Sequence, residues 1–250
     1  MRGWWQELAG LVLPVDCAGC GAARVLLCDG CREALGGAGA VRARPFPRPA
    51  GLPVVYAAAA YEGPVRAVLL AHKERGALPL AGALGAALAV AVAAAVAGAG
   101  GQGGAGGWQG GAGGSGGEVA LVPVPSARRQ VRARGHDPAR RIALAAAGRL
   151  RRAGVAARVA PVLRLRRAVA DQAGLGARQR RENLAGALEV RPGGARLTGG
   201  AVLVLVDDVI TTGATLAEAA RAVRAGGLGR GATPRAAVVA ATRTEQKTRE

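Results

Sequence analysis

A chain of 250 residues is long enough for one α/β core of ordinary size with a small appendage, and too short for two full domains. Half of its residues are apolar yet only 2% are aromatic, so its core must be built from Val, Leu and Ala. Its formal charge is +18 and Lys73 and Lys247 are its only lysines, so the positive charge is almost wholly arginine, whose planar fork suits a phosphorylated ligand or nucleic acid but also fits an Arg-rich surface.

The opening MRGWWQELAGLVLPVD has one arginine and a very short apolar run before a proline and an acid, so no export leader is expected and the chain reads as cytoplasmic. Cys17, Cys20, Cys28 and Cys31 are the only cysteines and form two C-x-x-C pairs. Each pair can present two thiolates on one turn, and two facing turns make the closed tetrahedral site of structural zinc. Two disulfides are the alternative in an oxidising compartment, but a core of this size needs no such staples. Residues 1–40 are therefore read as a zinc module, and the Pro- and Arg-rich residues 41–53 as an extended linker.

The main domain is expected over residues 54–245. VVYAAAAY reads as a strand, and EGPVRAVLLAHKERG as an amphipathic helix with Val65, Val68 and Leu69 on one face. His72 has no ligating partner nearby in sequence and reads as a helix-end residue. A second helix is expected over residues 80–97, where an uncharged run could be taken for a membrane span. Its alanine content, Pro79 and its glycines favour a buried helix, so no membrane span is expected. Residues 98–117 are nearly all glycine and read as a disordered insertion.

Beyond it, EVALVPVP reads as a strand and SARRQVRARGHDPARR as a basic stretch. A helix over 138–152, a strand over 160–165, a basic loop with a short helix near 179–184, a strand over 201–206, a helix over 215–224 and a strand over 235–242 complete the pattern. Such alternation predicts a mainly parallel sheet with helices on both faces.

The sharpest motif is the apolar run AVLVLV leading into Asp207 and Asp208, then Val209, Ile210, Thr211, Thr212, Gly213, Ala214 and Thr215. Ligands of open α/β sheets gather at the carboxyl ends of buried strands. There the acids, hydroxyls and N–H groups of a following helix can hold an anion beside a polyhydroxyl group. Paired acids after such a strand also occur in P-loop nucleotidases, but those need a Gly-Lys pair, which this chain lacks.

DDVITTGAT resembles the phosphoribosyl pyrophosphate signature of type I phosphoribosyltransferases. Together with YEGPVRAVLLAHKERG, VPVPSARRQVRARGHDPARRIA and the DQAGLGARQRRENLAGALEV segment from Asp171, it resembles the ComF-like group. Members of that group are linked to competence and DNA uptake and are often preceded by a cysteine zinc module. The resemblance implies a type I phosphoribosyltransferase fold that binds phosphoribosyl pyrophosphate with Mg2+. It implies ribose 2- and 3-hydroxyl contacts for Asp207 and Asp208, and a 5-phosphate cradle from Thr211, Thr212, Gly213, Ala214 and Thr215. Candidates for the pyrophosphate, beside Mg2+, are Lys73, then Arg128 and Arg129 or Arg180 and Arg181; for Lys73 a solvated helix-end lysine is the alternative. RGHDP departs from the aromatic–Asn–Gln that is more usual there, so acceptor recognition is left open and His136 reads as a loop or packing residue rather than a base.

Two functions of different class are therefore expected. One is an active transferase with an unidentified acceptor. The other is a non-catalytic protein that uses the donor as a ligand while its zinc module and basic surface engage single-stranded DNA or DNA-uptake proteins. A third, an interaction module on a degenerate transferase, is weakened by the intact acidic pair. With only Trp4, Trp5, Phe46, Tyr56, Tyr61 and Trp108 as aromatics, any DNA binding would be mainly electrostatic.

Overall fold

The computed structural model describes residues 16–98, 117–167, 177–229 and 234–242; the side chains of Ala177, Arg178, Arg180 and Arg181 lie outside that description, as do most of the glycine-rich insertion and the start of the segment from Asp171. After the first cysteine pair come α1 (Asp29–Ala34), β1 (Val41–Ala43), β2 (Val55–Ala60), α2 (Gly63–Glu74) and α3 (Ala81–Ala97). Then follow β3 (Val119–Pro123), α4 (Arg128–Arg134), α5 (Pro138–Arg152), β4 (Ala157–Val159), β5 (Leu163–Leu165) and α6 (Ala177–Leu184). Finally come β6 (Leu188–Val190), β7 (Val202–Ile210), α7 (Ala214–Ala225) and β8 (Arg235–Ala241).

The architecture is α/β. Six strands form one sheet in the order β1-β2-β8-β7-β3-β4, parallel throughout except for the antiparallel edge pair β1/β2. The central strands are buried on both faces because alternate residues enter two separate cores. Val204 and Val206 of β7, Leu121 of β3 and Val239 of β8 join one core with α2, α3 and α5. Leu203, Leu205, Val122 and Val238 join the other, beneath α7.

Cys17, Leu27, Cys31 and Leu35 belong to the first core, so the cysteine segment packs on the main body. Among the described residues one helix, Leu78–Ala97, is apolar and long enough to cross a membrane, with a mean hydropathy of 2.3. Over half of it, 56%, is buried in this fold, against β2, β8 and α5. Small residues permit that packing. A Cβ on Gly85 would stand 2.4 Å from the Ala145 Cβ of α5.

Three elements differ from expectation, each for a physical reason. Residues 160–165 do not form one strand, because Pro161 lacks the N–H to continue a ladder. The chain leaves the main sheet after β4 and pairs β5 with β6 in a separate antiparallel ribbon. The stretch before Gly135 is helical as α4, ended by that glycine in the left-handed region at φ 73°. Within 41–53, expected as a linker, β1 pairs with β2 at Val41↔Ala57 and Ala43↔Val55, and Leu52 is buried in the second core.

Candidate functional site

β7 runs through the acidic pair rather than ending before it, with Asp207 still paired to Val238 and Ile210 to Ala241 of β8. The strand thus delivers both carboxylates from a fixed ladder. Asp208 accepts from the Val209 N–H at 2.8 Å through Oδ1 and from Lys73 Nζ at 2.6 Å through Oδ2. Asp207 accepts from the Asp208 N–H at 2.9 Å through Oδ1.

Burial opposes the charge on Asp208, but the Lys73 ammonium and its hydrogen bond outweigh that cost and hold the carboxyl below its usual range. Burial acts on Asp207 as well, and there the negative charge of Asp208 reinforces it, so the Asp207 carboxyl is pushed well above its usual value. Lys73 is likewise drawn down by burial but held above its ordinary value by Asp208 and Asp207. The three groups together resemble one carboxylate, one ammonium and one acid inclined to keep its proton.

A cleft of about 510 Å³ opens over them, with Lys73, Asp207, Asp208, Thr211 and Thr215 in its lining. Thr212, Gly213 and Ala214 form the turn into α7; the Ala214 N–H bonds Thr212 Oγ1 at 3.4 Å. Gly213 is the N-cap, at φ 77°, and a Cβ there would meet Leu52 Cδ2 at 2.9 Å and Pro45 Cγ at 3.3 Å. The turn therefore needs glycine for its conformation and for space. α7 starts directly after this turn, so its N-terminal N–H groups and positive dipole end lie at the loop, and Thr215 of its first turn lines the cleft.

Of the arginine candidates, Arg129 lines the cleft and Arg128 is exposed on α4 outside its lining. Arg180 and Arg181 belong to α6, with their side chains outside the described residues. Arg134, which sequence reasoning passed over, also lines the cleft and grips Glu74 with two hydrogen bonds of 2.9 and 2.7 Å. Leu165, Leu184 and Leu188 form an apolar wall of the lining.

That wall is anchored by Glu218 of α7, a buried acid that sequence reasoning also missed. Its Oε1 accepts from the Leu188 N–H at 3.0 Å, and both its oxygens accept from Arg221 at 2.7 Å. Arg221 in turn donates to the Leu188 carbonyl at 2.8 Å. An acid in the alanine-rich ATLAEAARAV carries no sequence signal that a ribbon will dock on it.

The cysteine segment forms a separate site. The four Sγ atoms lie within 4.8 Å of one another, Cys20 and Cys28 at 3.6 Å, and all four are free thiols. For comparison, zinc–sulfur bonds of about 2.3 Å place tetrahedral ligands roughly 3.8 Å apart. Burial opposes ionisation of Cys17, but backbone N–H groups of Cys28, Cys20 and Gly19 bring it down to about 6. Burial and the neighbouring thiols push Cys31 up. The group is positioned to bind a metal ion, whose charge would hold the remaining thiolates together.

His72 and His136 meet behind the cleft, with ring centroids 5.4 Å apart at an edge-to-face angle of 75°. Both ring nitrogens of His72 are buried without a hydrogen-bond partner. Burial, then the nearby His136 and Arg141, bring His72 down to about 4.

Comparison with protein-family models and with curated protein sequences gives no match.

Proposed function

We propose that the chain has a type I phosphoribosyltransferase fold and binds phosphoribosyl pyrophosphate with Mg2+ in this cleft, transferring the pentosyl group to an acceptor nucleophile. The observation that carries this reading is the convergence of the Asp207–Asp208 pair, Thr211 and Thr215 at a helix start, and Lys73 in one cleft at the carboxyl end of a central parallel strand. In this reading the ribose hydroxyls bind the acidic pair, Asp207 serving as donor or acceptor according to its proton. The 5-phosphate lies on the turn 211–215 at the N-terminus of α7.

Lys73 and Arg129, with Arg128, Arg180 and Arg181 as further candidates, face the pyrophosphate. Mg2+ brought in with the donor would supply further charge neutralisation to the leaving group, as suits a hard cation that keeps few protein ligands. The C1–oxygen bond breaks with its electron pair leaving on pyrophosphate, and the acceptor's lone pair forms the new bond at C1. Rate enhancement comes from positioning and from neutralising the leaving group. The apolar wall of Leu165, Leu184 and Leu188 is the acceptor side. The cysteine cluster is assigned to structural Zn2+, for which its closed donor set is suited.

Calorimetry with donor and Mg2+ tests the site. Asp207→Asn/Asp208→Asn is expected to weaken binding by tenfold or more, and unchanged affinity overturns the assignment. Pyrophosphate release on incubation with donor, Mg2+ and a panel of bases tests turnover.

One observation favours a second reading, a single-stranded-DNA-binding protein with the donor as ligand: α4 exposes Arg128, Arg129 and Arg132 beside the cleft. Affinity for single-stranded DNA that falls steeply with salt supports it, and salt-independent or absent binding removes it.

A further inference from the structure

Three consecutive residues close α2, and each is tied to another element. Lys73 reaches Asp208 on β7. Glu74 takes the two-pronged bond from Arg134. The His72 carbonyl oxygen lies 3.1 Å from Nε2 of His136, which is buried at 7% exposure, while its Nδ1 lies 3.0 Å from the Arg134 carbonyl. The grip on residues 72 and 74 thus comes from one turn, Arg134–Gly135–His136, with Gly135 in the left-handed region.

That turn is itself fixed to the core. Asp137 caps α5 by accepting from the Arg140 N–H at 3.2 Å, and Pro138 opens the helix. α5 then buries Ile142, Ala143, Ala146 and Ala147. A continuous path of hydrogen bonds and packing runs from α5 through the turn to the end of α2, and so to the Lys73 ammonium.

A helix end is where such a path matters. The last carbonyls of a helix lack internal partners and the last turn frays. A lysine ammonium rides on a flexible four-carbon stem, so its location depends on the backbone beneath it. With its ring proton on Nε2, His136 donates to one of those carbonyls, and the Arg134–Glu74 fork fixes the residue on the other side of Lys73.

We propose that His136 and Arg134 are positioning residues that lock the last turn of α2 and thereby hold the Lys73 ammonium on Asp208, at the place where the leaving group is to be neutralised. The role of Lys73 toward the leaving group rests on the phosphoribosyl pyrophosphate reading; the locking of Lys73 does not.

The full chain carries only Lys73 and Lys247 as lysines, so protein labelled with 13C at the lysine Cε gives two lysine signals, and Lys247→Arg assigns them. In the wild type the Lys73 signal is expected to differ from that of Lys247 and to titrate above the ordinary lysine range. His136→Phe keeps a ring but no donor; it is expected to shift the Lys73 signal toward that of Lys247. His136→Gln, whose amide N–H can replace Nε2–H, is expected to keep the wild-type signal. Affinity for phosphoribosyl pyrophosphate with Mg2+ is expected to fall about five- to tenfold in His136→Phe and in Arg134→Ala, the loss of one or two hydrogen bonds, and less than threefold in His136→Gln.

In a Lys73→Ala background His136→Phe is expected to add less than a twofold loss. An unmoved Lys73 signal in both His136→Phe and Arg134→Ala overturns the proposal. So does an undiminished effect of His136→Phe without Lys73. If His136→Phe does not fold, Arg134→Ala and His136→Gln decide by the same signals. If wild-type protein binds no donor, the donor reading fails while the lysine signals still decide the positioning.

Discussion

Lys73 and Asp208 are separated by 135 positions in the chain and meet at 2.6 Å, Nζ donating to Oδ2. The contact divides the acidic pair: Asp208 takes the cation and Asp207 is left beside a neighbouring negative charge. One cleft thus holds its two acids differently, one raised and one lowered, and the difference is measurable.

Asp207 is the costly member. Its folded carboxyl is raised, so whatever it adds to stability is present at low pH and is lost as pH rises above the unfolded value of about 3.9. Asp207→Asn removes the ionisable carboxyl and keeps the shape. At pH 7 it is expected to raise Tm by about 2–4 °C, roughly 1 kcal/mol for a chain of this size, with the gain shrinking toward pH 4. Thermal melts at both pH values check this, and an unchanged or lower Tm at pH 7 contradicts it.

His72 sets an acid limit. Its folded pKa is lowered to about 4 against an ordinary 6.5, so the unfolded chain binds a proton that the native ring refuses between those values. Stability from this group is complete above about pH 6.5 and is lost as pH falls toward 4, by up to about 3 kcal/mol. The charged groups acting on the ring are His136, Arg141 and Asp208. His72→Leu removes two unpartnered ring nitrogens and is expected to flatten the pH dependence of denaturant unfolding over this range. A slope unchanged from wild type assigns the acid sensitivity elsewhere.

The four-cysteine cluster shares a core with the rest of the fold, because Cys17 and Cys31 pack in one cluster with Val65, Val68 and Leu84. One zinc per chain is expected by elemental analysis. Chelation should lower Tm by about 5 °C or more, some 2 kcal/mol of the metal's contribution to folding, in a single transition. A chelator-sensitive transition separate from an unshifted main one would contradict the shared core.

Glu218 anchors the apolar wall. Burial opposes its charge, but Arg221 and the Leu188 N–H outweigh burial and lower its pKa, so its contribution is present above about pH 4.3 and lost in acid as pH falls through the folded value. Glu218→Ala leaves the Leu188 N–H without its acceptor and should cost about 2–3 kcal/mol. Hydrogen exchange at the Leu188 amide should accelerate markedly while donor affinity changes little. Equal exchange in both proteins would show that β6 is held by other contacts.

Much of this was legible in the residues. Helix 138–152 was readable from end to end because Asp137, Pro138 and a periodic apolar face mark it locally. The strand leading to Asp207 was readable because burial on both faces leaves a continuous apolar run, and the acids, threonines and glycine after it are adjacent in sequence. The unread parts depend on partners far along the chain. β1 is a strand only because Val55–Ala57 offers it an edge. Glu218 reads as a solvated helix acid until Leu188 docks on it. His136 reads as a loop residue until α2 brings the His72 carbonyl to its ring.

Pro45 and Leu52 press on Gly213, and Arg224 of α7 donates to the Gly51 carbonyl at 3.4 Å. The passage between the cysteine cluster and the first parallel strand is therefore a buttress behind the turn 211–215. A shortened chain beginning at residue 54 would lose the cysteines and also the backing of that turn. Exchanging the passage 41–53 between proteins would have to carry the packing of Pro45 and Leu52 on the turn with it.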